Sequence, residues 1–407
     1  MALLERLLNA LVRHGRLTVV QPDGTSADYG PGGGPEIRVR LADKGVIGDI
    51  ARNPRLGFGE AYMDGRLTIE NGDIYDLMDF VVGNNRWENG GSGRKALKRG
   101  TGKLLNRWKR FNWEARSKRN VAHHYDLSDR LYDLFLDRDR QYSCAYFTDP
   151  ANSLEQAQVD KKAHIAAKLH LKPGQRVLDI GCGWGGMALY LNRVADVDVL
   201  GVTLSEEQLK VARRRAEEAG VADRVKFELR DYRKLEGRFD RIVSVGMFEH
   251  VGPIHYAAFF RKCRELLVDD GVMLLHTIGK LGSAGSGSGD PFTHKYIFPG
   301  YYLPPLSEMC AASEPAKMIV ADVETLRLHY AHTLRHWLER TRAARDEIVA
   351  LYDERFFRLW EYYLAGGIAM FENGSACVYQ VQYIRERRAL PITRDYMAEA
   401  EARYRQM

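Results

Sequence analysis

The apolar positions of this chain change period along its length, and the changes mark out its elements. Leu3, Leu4, Leu7, Leu8 and Leu11 recur at helical spacing, so Met1 to Leu11 reads as an amphipathic helix. Arg16 to Val20 and Ile37 to Leu41 read as strands, separated by the turn-rich Asp23 to Pro35. A helix over Ile74 to Val82 follows. Residues 1–83 are therefore expected to form a small α+β domain. Asn84 to Gly102 holds Asn, Gly, Ser, Lys and Arg and little that can be buried, which predicts a basic, flexible linker over 84–108.

From residue 109 onward the rhythm differs. Helical patterns run up to Pro173. Five short apolar runs then follow: Arg176 to Ile180, Val197 to Val202, Val225 to Leu229, Arg241 to Val245 and Val272 to Thr277. Helical stretches such as Glu206 to Ala219 and Tyr256 to Leu267 lie between them. Such alternation predicts β-α-β units and a mostly parallel, doubly wound sheet with helices on both faces. Met318 to Val323 and Ala376 to Tyr383 would complete the sheet. Gly282 to Gly289 (GSAGSGSG) is low-complexity and predicts a flexible loop without chemistry.

Composition narrows the classes. A length of 407 residues suits about two domains, and 45% apolar residues is ample for packed cores. The net charge of +6 is unevenly spread. Arg94 to Arg119 carries eleven basic residues against the single acid Glu114, a field that draws phosphates of nucleic acid or of anionic lipid headgroups. The plain alternative is a solvated face or linker. Five cysteines, an odd number with no C-x-x-C spacing, argue against a disulfide framework and against a structural zinc site. A reducing cytoplasm is the expected compartment. No apolar run approaches the roughly 20 residues of a membrane span, and the N-terminus lacks a signal-peptide layout, so any membrane contact is expected to be peripheral.

The strongest local signal is VLDIGCGWGG, Val177 to Gly186: a buried strand, a glycine-rich turn, then a helix. Ligand sites in such sheets lie at the carboxyl ends of strands, and the glycines let backbone approach a ligand closely. Gly181, Gly183 and Gly186 also satisfy the dinucleotide pattern G-x-G-x-x-G. Against that ligand, the second strand ends at Val202-Thr203-Leu204-Ser205 rather than at an acid placed to hold a ribose. Asp179, just before the first glycine, either fixes the glycine loop or reaches the amino-acid part of a cationic ligand. Ser205 to Gln208 (SEEQ) has the form of a capping box. Asp231, ending the third strand, either accepts from an adenine amino group or is a turn residue.

This D-x-G-x-G-x-G turn resembles that of the class I S-adenosylmethionine methyltransferases. Further stretches sharpen the likeness: Tyr142 to Phe147 (YSCAYF), Thr203 to Gln208 (TLSEEQ), Met247 to Gly252 (MFEHVG), Leu274 to Gly279 (LLHTIG), Lys295 to Gly300 (KYIFPG) and, upstream, His123 to Leu127 (HHYDL). In this shared order they resemble cyclopropane-fatty-acyl-phospholipid synthases and the mycolic acid cyclopropane synthases. The resemblance covers residues 110 to 390, and more loosely the first domain through Gly57 to Leu67 (GFGEAYMDGRL). It implies a Rossmann-like methyltransferase sheet over 109–407. It places Tyr142, Ser143, Gly181 and Gly183 against the cofactor, Thr203, Leu204 and Gln208 around its ribose and adenine, and Asp231 and Tyr232 near adenine. It implies a bicarbonate ion held by Glu249, His276 and Tyr330 with the backbone N–H groups of Cys144 and Ile278.

The chemistry fits these residue types. An alkene attacking a sulfonium methyl becomes a carbocation, and a base must remove a proton so that a three-membered ring closes. The site must place the partners, exclude water and hold an anion nearby. Tyr142, Tyr146, Phe147, Phe298, Tyr301 and Tyr302 are either cation-stabilising faces or core packing. Cys144 is used through its backbone, His250 reads as structural, and His123 and His124 stay unassigned. Many relatives carry a Cys where this chain has Gly367, so that Cys is not essential here.

The expected partners are an unsaturated phospholipid and the anionic inner face of the membrane. The docking elements would be Met1 to Leu11 and the basic stretch with its interleaved Trp108, Phe111 and Trp113. Nucleic acid is not expected, since no recognised module accompanies the charge. A homodimer is left open. The competing readings are a fatty acyl C-methyltransferase that leaves a branch, a small-molecule N-methyltransferase, and a non-catalytic lipid-binding protein that kept the fold.

Overall fold

The computed structural model describes residues 2–89, 128–282 and 289–407. The expected linker therefore lies almost wholly outside the described residues. So do His123, His124, the basic stretch Arg94 to Arg119 and most of the Gly282 to Gly289 loop. Two compact units result: one from the described parts of residues 1–101, 288–299 and 331–375, the other from those of 102–287, 300–330 and 376–407.

The first unit is wider than the expected 1–83 domain, because two later segments pack into it. Its sheet has the order β2-β1-β3-β4, with β1 Gly15–Val20, β2 Ser26–Gly32, β3 Glu36–Leu41 and β4 Leu67–Ile69. β3 alternates strictly, with Ile37, Val39 and Leu41 buried and Arg38 and Arg40 outside, where Glu70 accepts from both guanidinium groups at 2.6 Å. β2 was expected to be loop. It carries Gly30, Pro31 and Gly32, and only Tyr29 of it is buried. As the edge strand it tolerates a proline that a central strand would reject. The helices Gly45–Arg52 and Pro54–Met63 were also not anticipated. The late helix Glu354–Glu372 joins this unit through Glu361, which accepts from Tyr62 Oη at 2.6 Å and pairs with Arg342 at 2.7 Å. At Gly367 an added Cβ would lie 3.0 Å from Leu334 Cδ1, so a side chain there must press on Leu334.

The second unit is built on a seven-stranded sheet of order β10-β11-β9-β8-β5-β6-β7. The strands are β5 Arg176–Ile180, β6 Asp198–Thr203, β7 Val225–Leu229, β8 Phe239–Val245, β9 Leu267–Lys280, β10 Ile319–Leu326 and β11 Ala376–Ile384. All seven expected runs are strands, and β11 alone runs antiparallel to the rest. Alternate residues feed two cores. Leu178, Ile242, Met273 and Leu275 pack against the helix Tyr256–Leu266. Val177, Val243 and Leu274 pack with Leu191 and Ala212 on the opposite face. Sheets covered on both faces need such continuous apolar strands. The chain order doubles back beside β5, which opens a crevice at the carboxyl ends of β5 and β8.

Helix Leu154–Lys168 departs from the usual pattern. Its sequence LEQAQVDKKAHIAAK is rich in charge, yet Asp160, Lys161, Lys162, His164 and Lys168 are all buried. Among the described residues no helix is long and apolar enough to cross a membrane.

Candidate functional site

The glycine turn forms as its sequence demands. After β5, Gly181 and Gly183 take φ of +83° and +55°, a region where a Cβ is strained. An added Cβ at Gly181 would meet Met247 Cβ at 2.9 Å, whereas the corresponding position at Gly183 has no atom within 4 Å. Gly181 is thus required by packing and Gly183 leaves open space. The amides of Gly181 and Cys182 donate to Val202 O at 2.9 and 3.0 Å, tying the turn to the end of β6.

A cleft of about 1270 Å³, partly open to solvent, lies over this turn. Tyr142, Ser143, Asp179, Gly181, Gly183, Thr203, Leu204, Gln208, Asp231 and Tyr232 all line it. Trp184, Met187, Gln141 and Met247 line it too and were not assigned beforehand, as does His250, which the sequence reads as structural. Trp184 was in plain view inside VLDIGCGWGG. Its ring sits 5.0 Å from Tyr132, an aromatic neighbour that sequence spacing does not reveal.

The wall from Asp137 to Ser143 has no regular structure and is held by side chains. Asp137 accepts from the amides of Asp139 and Gln141 at 3.0 and 2.8 Å. Lys161 Nζ donates to Gln141 Oε1 at 2.6 Å and to Ser143 Oγ at 2.8 Å. Asp139 pairs with Lys162 and Arg215. Burial brings the Lys161 ammonium down to about 7. Burial also raises Asp179 to about 7, Lys161 opposing it, and Asp179 Oδ2 has no hydrogen-bond partner. Asp179 thus presents a buried carboxyl oxygen without a protein partner.

At the second strand end only half of the expected capping box forms. Ser205 Oγ accepts from Gln208 N at 3.3 Å, but the Gln208 side chain turns to the cleft and accepts from Thr203 Oγ1 at 2.8 Å. Asp231 caps the short turn Tyr232–Lys234. Both its oxygens are taken by Arg233, at 2.9 Å from Nε and 2.5 Å from Nη2, so an adenine amino group would have to share them.

Glu249, His276, Ile278, Tyr330 and Cys144 do not line this cleft, but Glu249, His276 and Cys144 adjoin residues that do, His250, Val245 and Ser143. Glu249 sits in the turn Phe248–His250, two residues after Met247. Its Oε1 accepts from Ile278 N at 2.5 Å and its carbonyl accepts from Tyr302 N at 2.9 Å. The Ile278 amide is therefore engaged by Glu249. His276 lies opposite Val245, a cleft residue, and accepts from Gly246 N at 2.9 Å through its carbonyl. Cys144 follows Ser143; its thiol donates to Ala145 O at 3.2 Å. Tyr330 is buried in the first turn of helix His329–Ala343. Glu249 is 4% exposed and His276 1%; among the described residues Glu249 Oε2 and His276 Nε2 meet no partner in hydrogen-bonding geometry, though the Thr277 hydroxyl and the Ile278 amide act to lower the Glu249 carboxyl. Burial pushes Glu249 up to about 7 and, with help from Lys161 and Lys168, His276 well below its ordinary range. The described aromatics are largely packed: Tyr146 stacks between His164 and His329, Tyr302 Oη donates to Glu308 at 2.9 Å, and Phe298 packs on Tyr363 in the first unit.

Comparison with known proteins adds the following. A family model for mycolic acid cyclopropane synthetase matches residues 113–381, and one for a domain of unknown function matches 3–87. The cyclopropane-fatty-acyl-phospholipid synthase of Escherichia coli is 40% identical over 86% of this chain and 88% of its own. A probable fatty acid methyltransferase of Pseudomonas putida is 38% identical over 92% and 94%. Among solved structures, the mycolic acid cyclopropane synthase CmaA1 complexed with SAH and CTAB superposes with a TM-score of 0.62 at 36% identity, covering 65% of this chain and 97% of that one.

Proposed function

The chain belongs to the mycolic acid cyclopropane synthetase family and is an S-adenosylmethionine-dependent methyltransferase; on that premise we propose that it converts the cis double bond of an unsaturated phospholipid acyl chain into a cyclopropane ring. The observation that carries the reading is that Glu249 and His276, each with a buried polar atom unpartnered among the described residues, adjoin His250 and Val245, which line the glycine-turn cleft.

S-adenosylmethionine, when bound, supplies an electrophilic sulfonium methyl. The residues present fit it. Gly183 leaves space where a side chain would stand, and Asp179 offers a buried carboxyl to a cationic ligand. Thr203 orients Gln208 at the cleft wall, and Lys161 fixes Ser143 beside Tyr142. Bicarbonate, when bound, supplies the base. A Glu249 carboxyl raised to about 7 is protonated in about half the molecules at neutrality, and that form is able to donate one hydrogen bond to an anion while its Oε1 stays on the Ile278 amide. Burial of Glu249, His276 and Cys144 excludes the water that would trap a cationic carbon as an alcohol. Tyr330 and the Cys144 amide complete the proposed anion site.

A second reading is favoured by the Pseudomonas relative, a probable fatty acid methyltransferase: a branched acyl chain instead of a ring. In either case the enzyme would work at an anionic membrane surface, docked through the basic stretch and its aromatic residues. Mass spectrometry of lipids from cells expressing the chain tests the proposal. One added CH2 on monounsaturated chains, resistant to ozonolysis, is expected; an added CH2 that ozone still cleaves would establish the branch instead.

A further inference from the structure

Three neighbouring strands set a row of polar side chains inside the second unit. Glu324 on β10 lies opposite Gln380 on β11, and Gln380 lies opposite His276 on β9. Helix Leu154–Lys168 covers this face with Lys168 and His164. Gln380 and His276 are at most 1% exposed, so the row is dry and its hydrogen bonds are strong.

The row has only one consistent direction. Lys168 Nζ donates to Gln380 Oε1 at 2.8 Å and pairs with Glu324. Against burial, His164 and Lys168 hold the Glu324 carboxyl down at about 2, so it is a permanent acceptor. An ammonium has no lone pair to offer, so the Gln380 carbonyl must face it. The NH2 of Gln380 then faces His276 Nδ1 at 3.2 Å, and since it can only donate, Nδ1 must be the acceptor. A neutral imidazole carries one N–H, and here it has to be on Nε2, the atom without a partner among the described residues.

We infer that Lys168 and Gln380 are positioning residues that lock His276 as its neutral Nε2–H tautomer, a fixed hydrogen-bond donor that takes no proton during turnover. Burial with Lys161 and Lys168 nearby keeps the ring uncharged. The tautomer assignment stands on the side-chain row alone. Its use, donation to the oxygen of a carbonate-type anion, rests on the reading above.

Nitrogen-15 NMR of the full chain with labelled histidines tests it, His276 being assigned by the signals lost in His276→Asn. The expected result is a protonated Nε2 and a bare Nδ1 from pH 6 to 8. A protonated Nδ1, or an imidazolium at pH 7, overturns the inference without any variant having to fold. Gln380→Glu places an acceptor-only group of nearly equal size beside Nδ1 and should move the proton there. Lys168→Met should release the amide and give a mixture of tautomers. Unchanged His276 shifts in both folded variants overturn the inference. In Gln380→Glu the KM for bicarbonate should rise about 10- to 100-fold, the usual effect of losing an orienting partner, with kcat at saturating bicarbonate nearly kept. A correct tautomer with activity indifferent to bicarbonate would sustain the tautomer lock and remove the anion reading.

Discussion

Glu249→Gln should make the protein more stable at alkaline pH and inactive at every pH. The folded carboxyl titrates at about 7 against an ordinary 4.5. Below pH 4.5 both states hold the proton and the charge costs nothing. Between 4.5 and about 7 the unfolded chain ionises first, so wild-type stability falls as pH rises, and above about 7 the loss is complete. At about 1.4 kcal/mol per pH unit the plateau is on the order of 3 kcal/mol, taking the full burial of the group at face value. Glutamine keeps the oxygen that accepts from the Ile278 amide at 2.5 Å and never ionises, so it escapes the loss. Denaturant unfolding of both proteins in bicarbonate-free buffer at pH 5, 6, 7, 8 and 9 measures the difference. The stability gap should open across pH 5 to 7 and then stay level. Parallel pH curves for the two proteins would refute the reasoning, because they would mean that Glu249 is ionised, and satisfied, in both states.

Three further outcomes are expected. Titration calorimetry should show S-adenosylmethionine binding about fivefold weaker at pH 6 than at pH 7, because a cation prefers the ionised Asp179, which burial holds near 7; Asp179→Asn should flatten that dependence, and a slope that survives the substitution would count against the contact. Cys144→Ala should keep substantial turnover and cost about 1 kcal/mol of stability, since the thiol is buried and donates to Ala145 O, whereas complete inactivation of the folded variant would give the thiol a chemical role. Co-sedimentation should show binding to anionic vesicles that weakens as salt rises; equal binding to neutral vesicles at all salt concentrations would argue against electrostatic docking.

What the sequence determined by itself is local. The seven apolar runs of the large sheet are strands because buried β-branched and aliphatic runs between helices have no other place to go. The turn from Gly181 to Gly185 follows from residues able to take positive φ, and seven of the ten cleft residues, Asp179, Gly181, Gly183, Thr203, Leu204, Asp231 and Tyr232, sit at strand ends and the turns after them, where order along the chain already brings them to one edge of the sheet. What only the tertiary structure decided is the fate of polar side chains. Helix Leu154–Lys168 looks solvated by composition, and its buried lysines and histidine become readable only when the partners that satisfy them arrive from far along the chain: Glu324, Gln380 and Glu401. The same holds for Glu361, which collects Tyr62 and Arg342 and so draws a late helix into the first unit. A period of 3.6 or 2 reports which face is apolar; it carries no record of a hydrogen bond between residues more than a hundred positions apart. The tautomer of His276 is inferred from such bonds.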